Sequence, residues 1–273
     1  MTERMGRWLR GSVVVAVLAA VAASAPPEPK QMAGPAPGAI DPKADAILKR
    51  MGHDLGALQS FKYVGESSTE GVLKDGEKLQ FDATSQVAVR RPDKLASERR
   101  GEDRDIAFFY NGQEIALLGK KMNMYATTPA PHNLDAAIDY ARDHLGLEAP
   151  AADLLFSDPY HALMQGVVSG KYVGEDDVDG VACDHLAFRG KDTDFQLWVE
   201  KGPRALPRKY VITSKDVAGA PEFTISLRDW QVDANLPDST FNFVPPPGAD
   251  KVNFSGALAP PPAGSGGDVG GGR

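Results

Sequence analysis

The chain has 273 residues, of which 42% are hydrophobic, and a formal net charge of −7. An acidic balance disfavours nucleic acid as a partner, because binding to nucleic acid depends on the neutralisation of phosphates by basic side chains. It also disfavours purely electrostatic attachment to anionic lipid, so contact with a membrane would have to be apolar.

The N-terminus has the three parts of a secretory signal peptide. Three arginines precede an uncharged Val/Leu/Ala-rich stretch over residues 11–25, which is shorter than the ~20 apolar residues of a membrane-spanning helix. Small side chains at Val21 and Ala23 predict cleavage before Ser24, and no cysteine near the cut could accept a lipid. We expect residues 1–23 to be removed on export, which moves the formal charge to −9 because three Arg and one Glu are lost.

Composition divides the mature chain into three parts. Residues 24–40 and 255–273 are rich in Pro, Ala and Gly, and such segments bury too little apolar surface to fold. They are predicted to be a flexible linker and a disordered tail around one folded domain, 41–254. Cys183 is the single cysteine, so an internal disulfide is excluded, and a small buried apolar role is favoured over a reactive thiol.

The first half of the domain predicts one helix followed by a meander of strands. Asp41-Pro42 is an N-cap with proline at the first helical position, and apolar residues recur at helical spacing over 42–59. Hydrophobicity then alternates with a period of two, and Asp75-Gly76 and Asn111-Gly112 are hairpin signals. The predicted strands lie within residues 61–74, 79–90, 95–100, 106–110, 113–118 and 122–127.

The second half predicts a helical insert and a return to strands. Asn133 can cap a helix that ends at Gly146, and two shorter helices follow within 151–166, the second capped by Asp158. The apolar content of this insert indicates that it lies against another apolar surface. Predicted strands follow at residues 171–175, 181–189, 195–200, 207–214 and 222–232.

About ten strands at this spacing predict a mainly β (α+β) domain with a single large, curled antiparallel sheet. Parallel βαβ units do not fit, because strands follow strands directly. Several strands, including 106–110, 113–118 and 195–199, are apolar at both alternating positions, which indicates that both faces of the sheet are covered.

No pattern of metal ligands stands out. The five histidines lack the spacing of a zinc site. The acidic run 175–180 has Gly180 at the sixth position of a calcium loop but apolar Leu186 at the twelfth, where an oxygen ligand is needed. We interpret the run as a solvated hairpin turn and expect no metal and no cofactor.

Catalytic patterns are equally weak. Cys183 and His185 stand two apart on a predicted strand and so share a face. They could form a nucleophile and base, but no third group is evident to orient them. A Cys/His hydrolase is therefore the third hypothesis, and the expectation is a protein that is not an enzyme.

Aromatic residues on the predicted strands indicate a ligand-binding surface instead. If the helices 42–59 and 133–166 close an apolar concave face of the sheet, the space between them would suit an apolar ligand. The predicted ligand-binding residues are Phe81, Phe108, Tyr110, Phe188, Trp198 and Trp230.

Four segments resemble a known family. They are CDHLAF from Cys183, FQLWVEKG from Phe195, LPRKYVIT from Leu206 and FNFVPPPGADKV from Phe241. They are similar to an uncharacterised family of predicted periplasmic bacterial proteins, which is grouped with the LolA and LolB lipoprotein carriers. The resemblance spans about residues 42–254. Phe195 departs from it, since the family typically has Trp there.

The resemblance implies an unclosed half-barrel of antiparallel strands with helices as a lid, in the periplasm. Because the chain lacks the lipid-attachment cysteine of LolB, it resembles a soluble carrier more than an anchored receptor. Fold likeness alone does not fix an activity. The leading hypothesis is a non-enzymatic periplasmic protein that binds a lipid, an acyl chain or a lipidated polypeptide.

The alternative hypothesis is a protein-interaction or envelope-stress sensing module on the same fold. The sequence leaves the oligomeric state open.

Overall fold

The structure, a computed structural model, describes residues 38–102 and 104–257. The predicted signal peptide and most of the predicted linker and tail lie outside these residues. In the described part, the strands are β1 (Ser60–Val72), β2 (Lys78–Arg90), β3 (Lys94–Gly101), β4 (Asp105–Tyr110), β5 (Glu114–Gly119), β6 (Met124–Pro129), β7 (Val167–Val178), β8 (Val181–Gly190), β9 (Thr193–Glu200), β10 (Pro207–Ser214), β11 (Glu222–Val232) and β12 (Asp250–Lys251).

The helices of the described residues are few and short. They are α1 (Pro42–Ala57), α2 (Leu134–Leu145), α3 (Pro159–Met164) and α4 (Phe254–Ala257), with 3-10 helices at Ala152–Leu155 and Asp238–Thr240. None of these helices is both long and apolar enough to cross a membrane.

All twelve strands belong to one sheet, in the order β12-β6-β5-β4-β3-β2-β1-β11-β10-β9-β8-β7. Neighbouring strands are antiparallel except for the two-residue β12, which runs parallel to β6. The central pairing joins β1 to β11, the last long strand, so the two halves of the chain meet at the middle of the sheet. With β7 and β12 at its two edges, the sheet is not closed into a barrel, and the predicted fold class is confirmed.

The first helix forms as its sequence predicts. The carboxylate of Asp41 accepts a hydrogen bond from the backbone N–H of Lys43 at 2.7 Å, and Pro42 occupies the first turn. The helix packs against β7, β8 and β9 through an apolar side. Burying each of its large apolar side chains contributes about 1.5–3 kcal/mol. This buried side consists of Ala44, Leu48, Met51, Gly52 and Leu55.

The helical insert lies against the same face of the sheet, as its apolar content indicates. Asn133 and Asp158 accept capping hydrogen bonds from the backbone N–H groups of Ala136 and His161. Residues Ala152–Leu155 form a 3-10 helix. Leu154, Leu155 and Leu163 join the main core.

The folded domain extends slightly beyond its predicted bounds at both ends. Ile40, in the predicted linker, pairs with Gly170 on β7 and packs against the core. At the other end, Ala257 is buried in a small cluster with Leu117 and Ala126. Residues 38–40 and 255–257 therefore contribute to the fold.

A C-terminal segment covers the opposite side of the sheet. The ring of Phe243 lies 5.6 Å from that of Phe109 on β4 and 5.3 Å from that of Tyr125 on β6. Strand β5 between them is buried on both faces over residues 115–119. This confirms the prediction, for β5, that a strand apolar at both alternating positions is covered on both sides.

Candidate ligand-binding face

The strand register assigns every sheet residue to one of two faces. We call the face on which α1 packs the inner face and the opposite one the outer face. Phe61, Val89, Leu95 and Tyr110 are paired in one row across β1 to β4 and belong to the inner face. Because side chains alternate along a strand, each neighbour in sequence points outward.

Burial on the inner face changes along β1. The side chains of Phe61 and Tyr63 are buried in the main core beneath the helical insert. Beyond Gly65, the inner residues Ser67 and Thr69 are only half-buried. Helices α1 and α4 pack on the flanks of the sheet, over β7–β9 and over β5 and β6. The far halves of β1, β2 and β11 therefore form the more accessible part of the inner face, although Ala83 and Ile225 within it are buried.

We call this accessible part the inner trough, because small side chains form its floor and larger ones border it. Ser67 is satisfied within the floor, since its hydroxyl donates to the carbonyl of Ala83 at 3.4 Å. The floor consists of Ser67, Thr69, Ala83, Ser85 and Ser97, and the bordering residues are Phe81, Ile106, Phe108, Ile212, Phe223 and Ile225.

Two glycines of β1 leave room for side chains of the neighbouring strands to lie over the β1 backbone. A Cβ at Gly65 would lie 2.7 Å from Cδ1 of Ile225, and one at Gly71 would lie 3.1 Å from Cε2 of Phe81. Leu79 pairs with Gly71 and is 38% exposed. The inner face therefore carries an exposed apolar side chain next to the β1–β2 hairpin.

Five of the six predicted ligand-binding residues lie on the inner face. Phe81 and Phe108 border the trough and are half-buried. Trp230 packs on Tyr63 with ring centroids 4.7 Å apart. Their role as ligand contacts remains a prediction.

The other two inner residues, Tyr110 and Phe188, are core residues. The hydroxyl of Tyr110 donates to the carbonyl of Pro131 at 2.5 Å, and burial raises the pKa of this phenol to about 12. Phe188 is buried and stacks on Phe195 at 4.9 Å.

Trp198 is not brought together with the other five. It lies on the outer face, where its ring stacks on His185 at 3.9 Å and its indole N–H donates to Asp176 at 2.8 Å. Lys209 is placed over the same ring, 4.7 Å from its centroid. Its inner neighbour Leu197 is also fully buried, so alternation along β9 did not reveal which side Trp198 takes.

The floor of the trough and most of its border were not predicted from the sequence. The available signal was the run of small inner residues in β1, where Gly65, Ser67, Thr69 and Gly71 stand two apart. Glycine in a strand interior has no side chain to pack and often marks the close approach of another group.

A polar contact joins the helical insert to the sheet. The phenol of Tyr210 donates to Oδ2 of Asp153 at 2.7 Å. Burial raises the pKa of the Asp153 carboxyl, although hydrogen bonds from Tyr210 and from the N–H of Leu154 oppose the shift. Burial and the nearby carboxylate raise the pKa of Tyr210 well above its ordinary value.

Arg91 makes a second connection between the sheet and the insert. Its Nη1 and Nη2 donate to the carbonyls of Leu155 at 2.9 Å and Phe156 at 2.8 Å. Burial lowers the pKa of Arg91. The contact satisfies two carbonyls at the end of a 3-10 helix, where backbone acceptors lack helical partners.

The pair Cys183 and His185 does not have the chemistry of a nucleophile and base. Cys183 is fully buried, and its Sγ donates to the carbonyl of Val181 at 3.3 Å. Desolvation raises the pKa of this thiol to about 11, whereas a reactive cysteine needs a lowered pKa. Desolvation also lowers the pKa of His185, whose Nε2 is bonded to Gln196 at 3.0 Å.

Within residues 38–102 and 104–257, no group of three or more His, Cys, Asp or Glu side chains could hold a metal ion.

The fold and the inner face define the class of protein, which is an open antiparallel sheet with helices on one face. Residues 44–255 match the family described as "Predicted periplasmic protein (DUF2092)". The chain belongs to this family, which confirms the resemblance seen in its four segments. No curated protein has a significant match to the chain.

Several solved structures are similar to the chain at low identity. An uncharacterised conserved protein from Thermus thermophilus is 11% identical, with a TM-score of 0.46, covering 77% of this chain and 98% of its own. The lipoprotein LppX of Mycobacterium tuberculosis is 12% identical, with a TM-score of 0.39, covering 72% and 100%. A LolA superfamily protein from Nitrosomonas europaea is 13% identical, with a TM-score of 0.35, covering 73% and 97%. At these values the likeness carries no argument about function.

Proposed function

We propose that the protein is a soluble, non-enzymatic periplasmic binding protein that holds an acyl chain, free or attached to a lipid or a polypeptide, in the inner trough. The observation that carries this proposal is the change of burial along the inner face. Phe61 and Tyr63 are sealed by the helical insert, whereas Ser67, Thr69 and Phe81 remain accessible between larger apolar side chains.

The dimensions of side chains support an elongated apolar ligand. The floor residues have at most two side-chain heavy atoms beyond Cβ, while phenylalanine and isoleucine border them on β2, β4, β10 and β11. A chain of methylenes lying on this floor would contact the side chains on both borders and would be removed from water. Each methylene moved out of water contributes about 0.8 kcal/mol.

Displacement of a fluorescent fatty acid by saturated fatty acids of increasing length tests the proposal. Affinity should rise about tenfold for every two methylenes while the tail still lies in the trough. Affinity that is independent of length, or no displacement at all, would contradict it.

A pair of neighbouring substitutions on β2 tests the location. Ser85→Phe places a ring on the floor, whereas Thr84→Phe places the same ring on the exposed outer face. We expect Ser85→Phe to abolish displacement and Thr84→Phe to preserve it. Extraction of lipid from protein purified from its own cell envelope, followed by mass spectrometry, should also return bound acyl chains from the wild type and not from Ser85→Phe.

A further inference from the structure

Exposed apolar side chains collect at one end of the sheet. Among the described residues, five large hydrophobic side chains are exposed, and three of them lie in or beside two turns. Leu73 and Leu79 flank the β1–β2 turn and are 44% and 38% exposed, and Val217 in the β10–β11 turn is 47% exposed. We call these three side chains the apolar tip.

The two turns are neighbours in space. A Cβ at Gly219 in the β10–β11 turn would lie 3.1 Å from Cγ1 of Val72 at the end of β1. The backbone N–H of Glu222 also donates to the carboxylate of Glu70 at 3.0 Å. Because the start of β11 pairs with the end of β1, both turns project from the same end of the sheet. The apolar tip therefore differs from isolated apolar residues, which are ordinary on a protein surface.

The charges within the two turns cancel. Each turn has as many basic as acidic side chains: Lys74 and Lys78 with Asp75 and Glu77 in one, and Lys215 with Asp216 in the other. The predicted mature chain, in contrast, has a formal charge of −9. Turns without net charge match the headgroups of zwitterionic lipids, which also carry no net charge, and they are not repelled by a lipid surface as an acidic surface would be.

The size of the apolar tip favours a lipid surface over a folded protein as its partner. Each partner in a standard protein–protein interface buries about 800 Å², which is far more than three side chains on two turns provide. A bilayer needs no matching surface, because apolar side chains can enter its interfacial region one by one. Contact through a few side chains gives weak, reversible attachment, which suits a protein that has to leave the membrane again.

The apolar tip adjoins the inner trough. Leu79 and Phe81 stand two apart on β2 and so share the inner face. Phe81 borders the trough, and Leu79 continues this apolar border to the exposed turn. A bilayer at the apolar tip would therefore lie beside the end of the trough that Phe81 borders.

We propose that the apolar tip docks the protein reversibly on the surface of a bilayer of zwitterionic lipid, with Leu73, Leu79 and Val217 entering the interfacial region. The inference goes beyond the proposed function, because docking needs no ligand in the trough. Where both hold, the membrane is the source or the destination of the acyl chain.

Flotation with vesicles of phosphatidylcholine and phosphatidylethanolamine measures docking of the full-length mature protein. The wild type should float with the vesicles, and raised salt should not release it, because the contact is apolar. The double variant Leu73→Ser, Val217→Ser should lower the partition coefficient about tenfold. A wild type that stays in solution, or a double variant that floats equally well, would overturn the inference.

Val244 provides a matched control for Val217. It is 78% exposed and lies in the C-terminal segment, away from the two turns. Val217→Ser should reduce flotation, whereas Val244→Ser removes the same side chain elsewhere and should leave flotation unchanged. An equal loss in both variants would show that the apolar tip has no special role.

A fluorescent label reports insertion of the tip directly. Because Cys183 is buried, Val217→Cys supplies one accessible thiol for the environment-sensitive dye NBD. Its emission should rise and shift to shorter wavelength when the same vesicles are added, whereas NBD on Val244→Cys should not respond. Equal responses at both positions would contradict docking through the tip.

A second copy of the chain is the alternative occupant of the apolar tip. Sedimentation without lipid detects it: a wild-type dimer that Val217→Ser dissociates, together with an absence of flotation, would overturn the membrane inference.

Failure of docking is distinguishable from failure of the proposed function. The double variant Leu73→Ser, Val217→Ser should bind a fluorescent fatty acid in solution as the wild type does, because neither residue borders the trough. If the wild type binds the fatty acid but does not float, the docking inference alone fails. If it floats but binds no fatty acid, docking stands and the acyl-chain proposal fails.

Discussion

The hydroxyl of Tyr210 donates a hydrogen bond to the carboxylate of Asp153 at 2.7 Å, which ties the inner face of β10 to the 3-10 helix Ala152–Leu155. Tyr210 is almost completely buried. The contact therefore holds a carboxyl group in surroundings that oppose its ionisation, and this gives the helical insert a dependence on pH.

The stability of the protein should respond to Asp153 in a definite direction. Because burial raises the pKa of this carboxyl above 3.8, the folded protein binds more protons than the unfolded chain between 3.8 and the raised value. Stability conferred by the protonated form is then lost as the pH rises through that window. Asp153→Asn should melt near the wild-type temperature at low pH and above it at neutral pH.

Melting curves measured from about pH 3.5 to about pH 8 check this expectation. Asp216→Asn, at an exposed turn, is the control for loss of one carboxylate. A melting temperature of Asp153→Asn that falls below the wild type at neutral pH would contradict the assignment.

The contact between α1 and α3 should be sensitive to one methyl group. A Cβ at Gly52 would lie 2.7 Å from Cβ and 2.8 Å from the backbone N of Tyr160. Alanine favours a helix over glycine by about 1 kcal/mol, but overpacking of this kind costs about 1–3 kcal/mol. We expect Gly52→Ala to lower the free energy of unfolding, by up to about 2 kcal/mol.

Chemical denaturation measures this change, with Ala46→Gly on the exposed side of α1 as the comparison. That substitution loses helix propensity alone and should cost about 1 kcal/mol. If Gly52→Ala stabilised the protein by the same amount, the result would contradict the close contact between α1 and α3.

The thiol of Cys183 should be inert in the folded protein. Burial removes it from solvent and raises its pKa to about 11, so the reactive thiolate is scarce at neutral pH. Iodoacetamide should label the native protein far more slowly than the urea-unfolded chain, as read by intact mass. Labelling of both forms at the same rate would show that Cys183 is accessible.

Local sequence signals were sufficient for most elements of the fold. Asp41-Pro42 predicted where α1 begins, since an N-cap and a first-turn proline act within a few residues. Asn111 likewise shapes the β4–β5 turn, where its side-chain oxygen accepts from the backbone N–H groups of Gln113 and Glu114. These features need no information from distant parts of the chain.

Long-range features were not predictable in the same way. The pairing of β1 with β11 depends on the whole sheet, and the outer-face contacts of Phe243 belong to a segment without regular structure. Trp198 lies in a strand buried on both faces, so hydrophobicity could not assign its side. The trough floor was missed because small residues such as Ser67 and Ser85 carry no hydrophobic signal.

The most direct test of the central claim is to locate a bound acyl chain on the sheet. Stearate with a nitroxide on its tail, added to isotopically labelled mature protein, broadens the amide NMR signals of residues near the chain. The inner-trough proposal predicts broadening centred on Ser67, Ala83 and Ile225, with little effect at Asp177 on the edge strand β7, which lies four strands away from β11. Broadening centred on β7 and β8, or none at saturating ligand, would contradict the proposal.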